Sequence, residues 1–308
     1  MSGIINMERP DAMFLNLDMI AKKFPIIDTK RNRESLVYGK VLTNFAANIN
    51  GTPDKLNVRG LLTVLDKTDV TYLLTNSPIS SSGELSDLVT FTDFSDTLVV
   101  EKAAAQQNSS SLNVALTIRL RQGARYKCFL TPNGDSYVDV SGEGNLELRM
   151  PPQGDMRLTG RLTLNEGKMN YELPVIPLRT FTLAPGSYVD FTGEMMNPTL
   201  NITATERVKS IVTENDHQRA VTFDAGVKIS RTLEDMGLEF IIDAPEDLTI
   251  KNQLASMSTE ERGKAAVALL ATGMYISDDN LSTGGFKASN ALNAFLQSEI
   301  QNIAGKAL

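Results

Sequence analysis

The sequence predicts a mainly β protein in which a long antiparallel meander of strands is followed by two short C-terminal helices. Apolar and polar residues alternate with a period of two in many segments before residue 255, which is typical of strands with one buried face. Turn residues at Pro132–Gly134, Asn165–Gly167 and Pro185–Gly186 separate these segments. No long helical period interrupts residues 110–250, so consecutive hairpins are favoured over βαβ units.

The alternating segments place their apolar side chains on one face of each strand, because successive strand residues point to opposite faces. Residues 76–110 lack this pattern and are interpreted as exposed loops around a short edge strand or helical turn. The apolar positions of the alternating segments are Val114, Leu116, Ile118, Leu120, Leu146, Leu148, Met150, Leu162, Leu164, Met169, Tyr171, Leu173, Val175, Leu200, Ile202, Val221, Phe223, Val227, Ile229, Leu238, Phe240 and Ile242.

Near residue 256 the apolar period changes from strand to helix. Ser258–Glu261 has the pattern of a capping box, in which a Ser hydroxyl and a Glu carboxylate accept hydrogen bonds from free backbone N–H groups. Apolar residues at helical spacing follow, and a second amphipathic helix is predicted from Ser289 to a stop at Gly305. We therefore expect two parts, a β domain at 1–255 and a helical segment at 256–308.

Composition excludes several classes of function. The chain has 308 residues and a net charge of -7, which disfavours nucleic acid, since phosphate binding requires clustered Lys and Arg. Cys128 and His217 are its single cysteine and histidine, too few for a disulfide or an ordinary zinc site. No signal peptide or apolar run of membrane-spanning length is visible. We expect no metal and no cofactor.

No catalytic motif stands out. Gly142–Gly144 is a lone GxG without the context of a dinucleotide site, and a turn between hairpin strands is the better interpretation. His217 lies in a polar stretch expected to be an exposed hairpin loop. Cys128 is expected to be a buried, unreactive small hydrophobe. Asp278–Asn280 lacks the spaced ligands of a calcium loop. We therefore predict a protein without enzymatic activity or catalytic residues.

The extended apolar face has two explanations. Two sheets could bury their apolar faces against each other in an ordinary sandwich, which periodicity alone favours. Alternatively, a long single sheet needs something to cover its apolar face, and a ligand with acyl chains is one physical answer.

The stretch Met169–Glu206, MNYELPVIPLRTFTLAPGSYVDFTGEMMNPTLNITATE, resembles the conserved C-terminal domain of TamB, the translocation and assembly module subunit of the AsmA-like superfamily. The matching elements are Phe181–Leu183, Gly186–Phe191 and Asn197–Ala204. The likeness extends over most of the chain, and the combination of elements carries it rather than any single one.

The resemblance implies a β-taco, a long curled, solenoid-like sheet with an apolar interior groove. It implies a non-catalytic role in phospholipid transport between membranes, in outer-membrane protein assembly, or in both. The implied partners are phospholipid or detergent in the groove and an Omp85-type, TamA-like outer-membrane barrel. The implied location is the periplasm of a Gram-negative bacterium, with the full-length protein anchored in the inner membrane, so we expect a piece cut at both ends.

In such a sheet the groove is lined by apolar strand residues that shield lipid or client strands from water. The expected groove residues are Val114, Leu116, Ile118, Leu120, Leu146, Leu148, Leu162, Leu164, Met169, Tyr171, Leu173, Val189, Phe191, Leu200 and Ile202.

Two alternatives to a lipid-carrying groove stay open. One is a chaperone module that templates strands of barrel proteins at a sheet edge without transporting lipid. The other is a structural β-solenoid or adhesin, which the low aromatic content of 6% already disfavours.

Overall fold

The computed structural model describes residues 2–6, 13–32, 35–74, 111–131, 133–173, 176–214 and 217–275. Within them it confirms the predicted curled β-sheet with helices at its C-terminal end. The predicted loops at 76–110 and the predicted helix from Ser289 lie outside the described residues.

The described residues form fourteen strands. They are β1 Ser2–Asn6, β2 Phe14–Thr29, β3 Val37–Thr52, β4 Lys55–Val64, β5 Asp69–Leu73, β6 Ser111–Leu120, β7 Arg125–Phe129, β8 Tyr137–Met150, β9 Arg157–Leu173, β10 Ile176–Leu183, β11 Tyr188–Gly193, β12 Thr199–Glu214, β13 His217–Thr232 and β14 Gly237–Asp243. All of them belong to one sheet, whose main path runs β1-β2-β3-β4-β6-β8-β9-β10-β12-β13-β14.

The sheet is mixed rather than purely antiparallel. Strands β4 and β6 pair in parallel from Lys55–Ser111 to Val64–Leu120, and β5 and β7 pair in parallel as well. The reason is that β4 and β5 lie end to end along β3, while β6 and β7 lie end to end along β8. β4 and β5 therefore act as one long strand with a break, and so do β6 and β7. These two broken strands lie side by side and run parallel.

These breaks form a line across the sheet, which we call the crease. It comprises residues 65–68 between β4 and β5, 121–124 between β6 and β7, and 184–187 between β10 and β11. A register shift between β8 and β9 at Ser141/Gly142 continues the same line. Because bulges and breaks bend a strand and increase its twist, their alignment bends the whole sheet along the crease.

Two buried hydroxyl groups hold the crease together. Thr68 Oγ1 accepts a hydrogen bond from the backbone N–H of Leu42 at 3.1 Å and donates to the Leu42 carbonyl oxygen at 3.3 Å. Ser187 Oγ accepts from the N–H of Thr203 at 3.1 Å. Each hydroxyl therefore replaces a backbone partner that the ladder loses at the break, as buried polar groups require.

Two glycine-containing segments that were expected to be turns lie inside long strands. Gly142–Gly144 belongs to β8, and Asn165–Gly167 forms the irregular part of β9. A Cβ atom at Gly144 would lie 2.1 Å from the carbonyl oxygen of Arg161, so glycine is needed here for close approach between strands. By contrast, the predicted turn before Gly134 does connect β7 to β8.

Two helices end the described chain, α1 at Leu248–Ser256 and α2 at Thr259–Thr272. The capping box of α2 is confirmed, because Ser258 Oγ accepts from the N–H of Glu261 and the Glu261 carboxylate accepts from the N–H of Ser258. Gly273 ends α2 in the left-handed conformation. Helix α1 was not predicted; Asp247 is its N-cap.

Candidate functional site

The strand register brings the predicted groove residues onto one face of the sheet, which we call the inner face. In one row of directly paired residues, Leu120 lies opposite Gly144, Gly144 opposite Leu162 and Leu162 opposite Val189. Val189 in turn lies opposite Leu200. Directly paired residues share a face, so the same reasoning places every predicted groove residue on the inner face except Leu173, whose side chain is not described.

The inner face also extends over strands that the prediction did not include. Val58 and Leu62 of β4 lie opposite Val114 and Ile118. On β3, Ile49 and Phe45 lie opposite these β4 residues and therefore also on the inner face. Leu17 of β2 lies opposite Ile49 and extends the inner face by one more strand. The alternation in residues 56–64 was visible in the sequence and could have identified this extension.

The predicted residues differ in burial along the inner face. One group is almost completely buried, and it consists of Leu146, Leu164, Met169, Tyr171, Leu200 and Ile202. The other group is half-buried and consists of Val114, Leu116, Ile118, Leu120, Leu148, Leu162, Val189 and Phe191. The inner faces of β2, β3, β4 and β6 are mostly half-buried as well; with the second group they make up the half-buried section.

The chain's own helix covers the other end of the inner face. Helix α2 packs against β10, β12, β13 and β14, and six consecutive helical residues, Ala265 to Leu270, are buried. They join one apolar core with inner-face residues such as Phe181, Phe223 and Phe240. We call this part the filled section, because protein side chains already cover its apolar surface.

Polar contacts fix the end of α2 in the filled section. Arg179 of β10 donates to the Leu270 carbonyl oxygen at 2.7 Å and forms an ion pair with Glu206 of β12, with 3.1 Å between Nη1 and Oε1. Just beyond the helix, the N–H of Tyr275 donates to Ser210 Oγ at 2.8 Å. The Tyr275 ring stacks on Phe223 with 4.7 Å between centroids. The periodicity argument gave no indication of this anchoring.

The opposite face of the sheet carries cross-strand ion pairs. Arg161 of β9 contacts Asp190 of β11 through two nitrogen–oxygen pairs at 3.0 and 2.5 Å, and its guanidinium lies over the Tyr188 ring. Arg125 also forms an ion pair with Asp139 across β7 and β8, with 2.8 Å between Nη2 and Oδ2. The hydrogen bond and charge of Arg161 lower the pKa of Asp190. The sheet is therefore amphipathic, with cross-strand ion pairs along one face and mostly apolar side chains on the other.

Beside the crease, three weakly polar side chains lie on the inner face of β5 and β7. Tyr72 is paired opposite Cys128, and Tyr126 lies two residues before Cys128 on the same face. Burial raises the pKa of the Cys128 thiol to about 11 and that of the Tyr126 hydroxyl to about 12. Both groups are therefore neutral at physiological pH, in keeping with the expectation that Cys128 is unreactive.

The Cys128 thiol gives an expected pH dependence of stability. Its pKa is raised to about 11 in the folded chain from an ordinary value of 9.0, so the stability it contributes is present below pH 9 and is lost as the pH rises towards 11. We expect its share of the loss at pH 11 to be about 2 kcal/mol, since one pKa unit corresponds to about 1.4 kcal/mol. The loss can be measured by urea unfolding of the wild type and of Cys128→Ala between pH 8 and pH 11. If the free energy of unfolding falls equally with pH in both proteins, the prediction is wrong.

These features define a class of protein, a large single-sheet β protein whose curled sheet has one apolar and one charged face. The family model of the TamB C-terminal domain matches residues 1–308, and the chain therefore belongs to this family. No curated protein matches the chain in sequence. Among the described residues, neither helix has the length and hydropathy needed to cross a membrane.

The family places the chain in a broad functional setting. TamB proteins are periplasm-spanning proteins of the bacterial envelope, and the family takes part in outer-membrane protein assembly and lipid transport. The family is a transport and assembly module rather than a family of enzymes.

Proposed function

We propose that the half-buried section of the inner face is a groove that shields the acyl chains of phospholipids during transport between the two membranes. The observation that carries this proposal is a row of half-buried apolar side chains across β4, β6 and β8, formed by Val58, Val114 and Met150. Leu62, Leu116 and Ile118 are half-buried beside this row on the same face. An acyl chain that covers such a surface gains about 0.8 kcal/mol for each CH₂ group removed from water, so several groups suffice for useful binding.

The filled section supports the proposal by comparison. There, the same inner face is covered by the apolar side chains of α2, which shows what kind of surface this face accepts. An acyl chain presents the same chemistry as Leu269 or Val267 of the helix, and it needs no charged partner. No chemical step is required, and the residues lining the groove act together as a surface.

The proposal extends to the setting of the full-length protein. We propose that it is anchored in the inner membrane and that an Omp85-type, TamA-like barrel is its outer-membrane partner. The charged face then lies in the aqueous periplasm, where the ion pairs of Arg161 and Arg125 remain solvated. The inner face connects the two membranes as an apolar path.

A charge in the half-buried section is expected to abolish lipid binding. In the variant Leu116→Glu the carboxylate would lie on the inner face, where an acyl chain cannot solvate it. We expect at least a tenfold loss in binding of a fluorescent fatty-acyl probe and in co-purified phospholipid measured by mass spectrometry.

The matched control is Ala115→Glu, one residue away on the exposed face of β6 and opposite Arg149. This variant is expected to bind the probe like the wild type. Equal binding by both variants, with both folded by circular dichroism, would contradict a groove on the inner face.

A second candidate function is the templating of client strands along the part of β2 after Asp18, with which β1 does not pair. Ile20, Phe24 and Ile26 are exposed large hydrophobic residues on this strand, and such an edge can add a strand from another chain. Photo-crosslinking from Ile20 and from Leu116 separates the candidates. Templating predicts protein adducts at position 20, whereas the groove predicts lipid adducts at position 116.

A further inference from the structure

The half-buried section ends at the hairpin between β8 and β9, and a methionine lies on each side of this hairpin loop. Met150 is the last residue of β8, and Met156 directly precedes the first residue of β9. Because Arg149 and Arg157 are paired directly, the two methionines lie next to each other at the end of these strands. Met150 also lies opposite Val114 and belongs to the row of half-buried side chains that carries the proposed groove.

Two further methionines lie at the same end of the sheet. Met195 and Met196 lie in the turn between β11 and β12, which begins shortly after β11 ends at Gly193. Gly193 is paired with Leu158, the second residue of β9, so this turn lies beside the β8–β9 hairpin. We call the four residues Met150, Met156, Met195 and Met196 the methionine rim.

Most of the methionine rim is accessible to small molecules in solution. The exposed fractions of Met156, Met195 and Met196 are 43%, 39% and 58%, and Met150 is half-buried. By contrast, Met169 in the core is only 1% exposed. A thioether in contact with water can be oxidised to a sulfoxide, whereas a thioether enclosed by other side chains is shielded from the oxidant. The rim therefore differs from Met169 in chemistry as well as in position.

The sulfur atoms also distinguish the methionine rim from the rest of the half-buried section, which is lined mostly by leucine, valine and isoleucine. Leucine has a volume similar to that of methionine and replaces it at most apolar positions at small cost. It has no atom that a peroxide attacks under mild conditions. Methionine at the rim therefore provides an apolar surface together with an oxidisable atom.

We propose that the methionine rim is a site of oxidation by peroxides, and that its oxidation closes this end of the groove to acyl chains. This inference rests on the proposed lipid groove and adds a form of regulation to it. The covalent change occurs at Met150, within the row that an acyl chain covers, and at its three exposed neighbours. The state of the rim then decides whether an acyl chain can lie across this end of the inner face.

The chemical step needs only the thioether and the peroxide. With hydrogen peroxide, a lone pair of the sulfur attacks one oxygen atom, so that an S–O bond forms while the O–O bond breaks. The sulfur is oxidised by two electrons, the peroxide is reduced, and its second oxygen leaves with both protons as water. The sulfoxide is polar, and an acyl chain that covers it removes its hydrogen bonds with water. Methionine sulfoxide reductases reverse the change.

The test treats the purified chain with hydrogen peroxide and then measures binding of a fluorescent fatty-acyl probe. Peptide mass spectrometry shows how many oxygen atoms each methionine has gained. We expect Met156, Met195 and Met196 to be oxidised before Met169, because they are more exposed. Probe binding should fall about tenfold once the rim is oxidised, as expected for an unpaired polar group against an apolar ligand. The two types of sulfoxide reductase together, one for each sulfoxide epimer, should restore it.

The deciding variant has leucine in place of all four methionines of the rim. Each protein is scored by the ratio of its own probe binding after and before peroxide treatment, and this variant should keep a ratio close to one. The matched control is Met274→Leu, because Met274 is 53% exposed but follows the C-cap of α2 in the filled section. It should lose binding as strongly as the wild type. Thermal unfolding before and after treatment shows that the proteins stay folded.

The outcomes distinguish this inference from the groove itself. If the untreated wild type does not bind the probe, the proposed groove fails and this inference fails with it. If the wild type binds equally well before and after the rim is oxidised, the groove stands and the inference is overturned. It is also overturned if the four-leucine variant loses binding like the wild type, if Met274→Leu resists the treatment, or if the oxidised wild type loses binding only because it unfolds.

Discussion

Replacing Phe223 by alanine is expected to lower the free energy of unfolding by about 3–5 kcal/mol, the usual cost of truncating a fully buried phenylalanine. Phe223 is 0% exposed on β13, and it lies in the core between the inner face and α2. Its ring also stacks on Tyr275 with an interplanar angle of 22°, and such pairs add about 0.5–1.5 kcal/mol beyond burial. Urea unfolding followed by circular dichroism measures the change.

The control for Phe223→Ala is Ile211→Ala on the neighbouring strand β12. Ile211 is 64% exposed, so its truncation is expected to change stability by less than about 0.5 kcal/mol. Phe223→Leu should lie between the two, and it remains measurable if the alanine variant fails to fold. A cost for Phe223→Ala as small as that for Ile211→Ala would contradict the packing of α2 on the inner face.

This prediction bears on function because helix and ligand would compete for one kind of surface. The helix residues Ala265 to Leu270 cover the inner face in the filled section, while the same face is half-buried along β4 and β6. A loosened helix would uncover more apolar surface. We therefore expect Phe223→Ala, if folded, to bind more acyl probe than the wild type, whereas Leu116→Glu binds less.

The sequence was sufficient to predict the faces of the strands. A period of two depends only on local backbone geometry, so the alternation at Val114–Leu120 correctly indicated which side chains share a face. The capping box at Ser258–Glu261 could also be predicted from the sequence, because all its hydrogen bonds are formed within four residues.

The path of the chain between strands was harder to predict. Glycine near a polar residue is typical of a turn, but Gly142 and Gly144 allow two strands to approach closely in the middle of β8. Pro185–Gly186 interrupts a strand line without reversing it, since β10 and β11 pair with the same two strands, β9 and β12. Turn-forming residues such as glycine and proline therefore occur both at hairpins and at breaks within a strand line. Only the pairing with distant strands distinguishes a hairpin from a break.

The burial of the site could not be predicted either. Leu120 and Leu164 have the same alternation pattern in the sequence, yet Leu120 is half-buried and Leu164 is almost completely buried. The difference depends on where the sheet curls and where α2 packs, and both are tertiary features. Helix α1 was missed for a related reason, because its nine residues bury only Ile250 and Leu254.

Replacing Arg179 by methionine is expected to destabilise the chain by about 2–3 kcal/mol. Its guanidinium is the donor to both the Glu206 carboxylate and the Leu270 carbonyl oxygen on the inner face. The two side chains of the ion pair are only 26% and 28% exposed, so the variant leaves a partly desolvated carboxylate without its cation. Methionine keeps the aliphatic bulk, and the loss therefore reports on the polar contacts.

The matched control is Lys40→Met. Lys40 also forms an ion pair across neighbouring strands, with Asp28, but the two side chains are 50% and 63% exposed. Exposed ion pairs contribute about 0–1 kcal/mol, so the control should be nearly as stable as the wild type. If the two methionine variants lose equal stability, the inner-face ion pair has no special role.

Glu206→Leu in the Arg179→Met background separates the carboxylate from the helix contact. Removing the orphaned carboxylate from an apolar surface is expected to restore about half of the loss, because the charge no longer lacks a partner. The remaining loss belongs to the carbonyl of Leu270, to which the leucine at position 206 cannot donate a hydrogen bond.

Hydrogen exchange should be faster in the last turn of α2 in both Arg179→Met and the double variant, while the exchange of β8 amides is unchanged. Uniformly faster exchange throughout the sheet would instead show that Arg179 supports the whole sheet and does not hold the helix specifically.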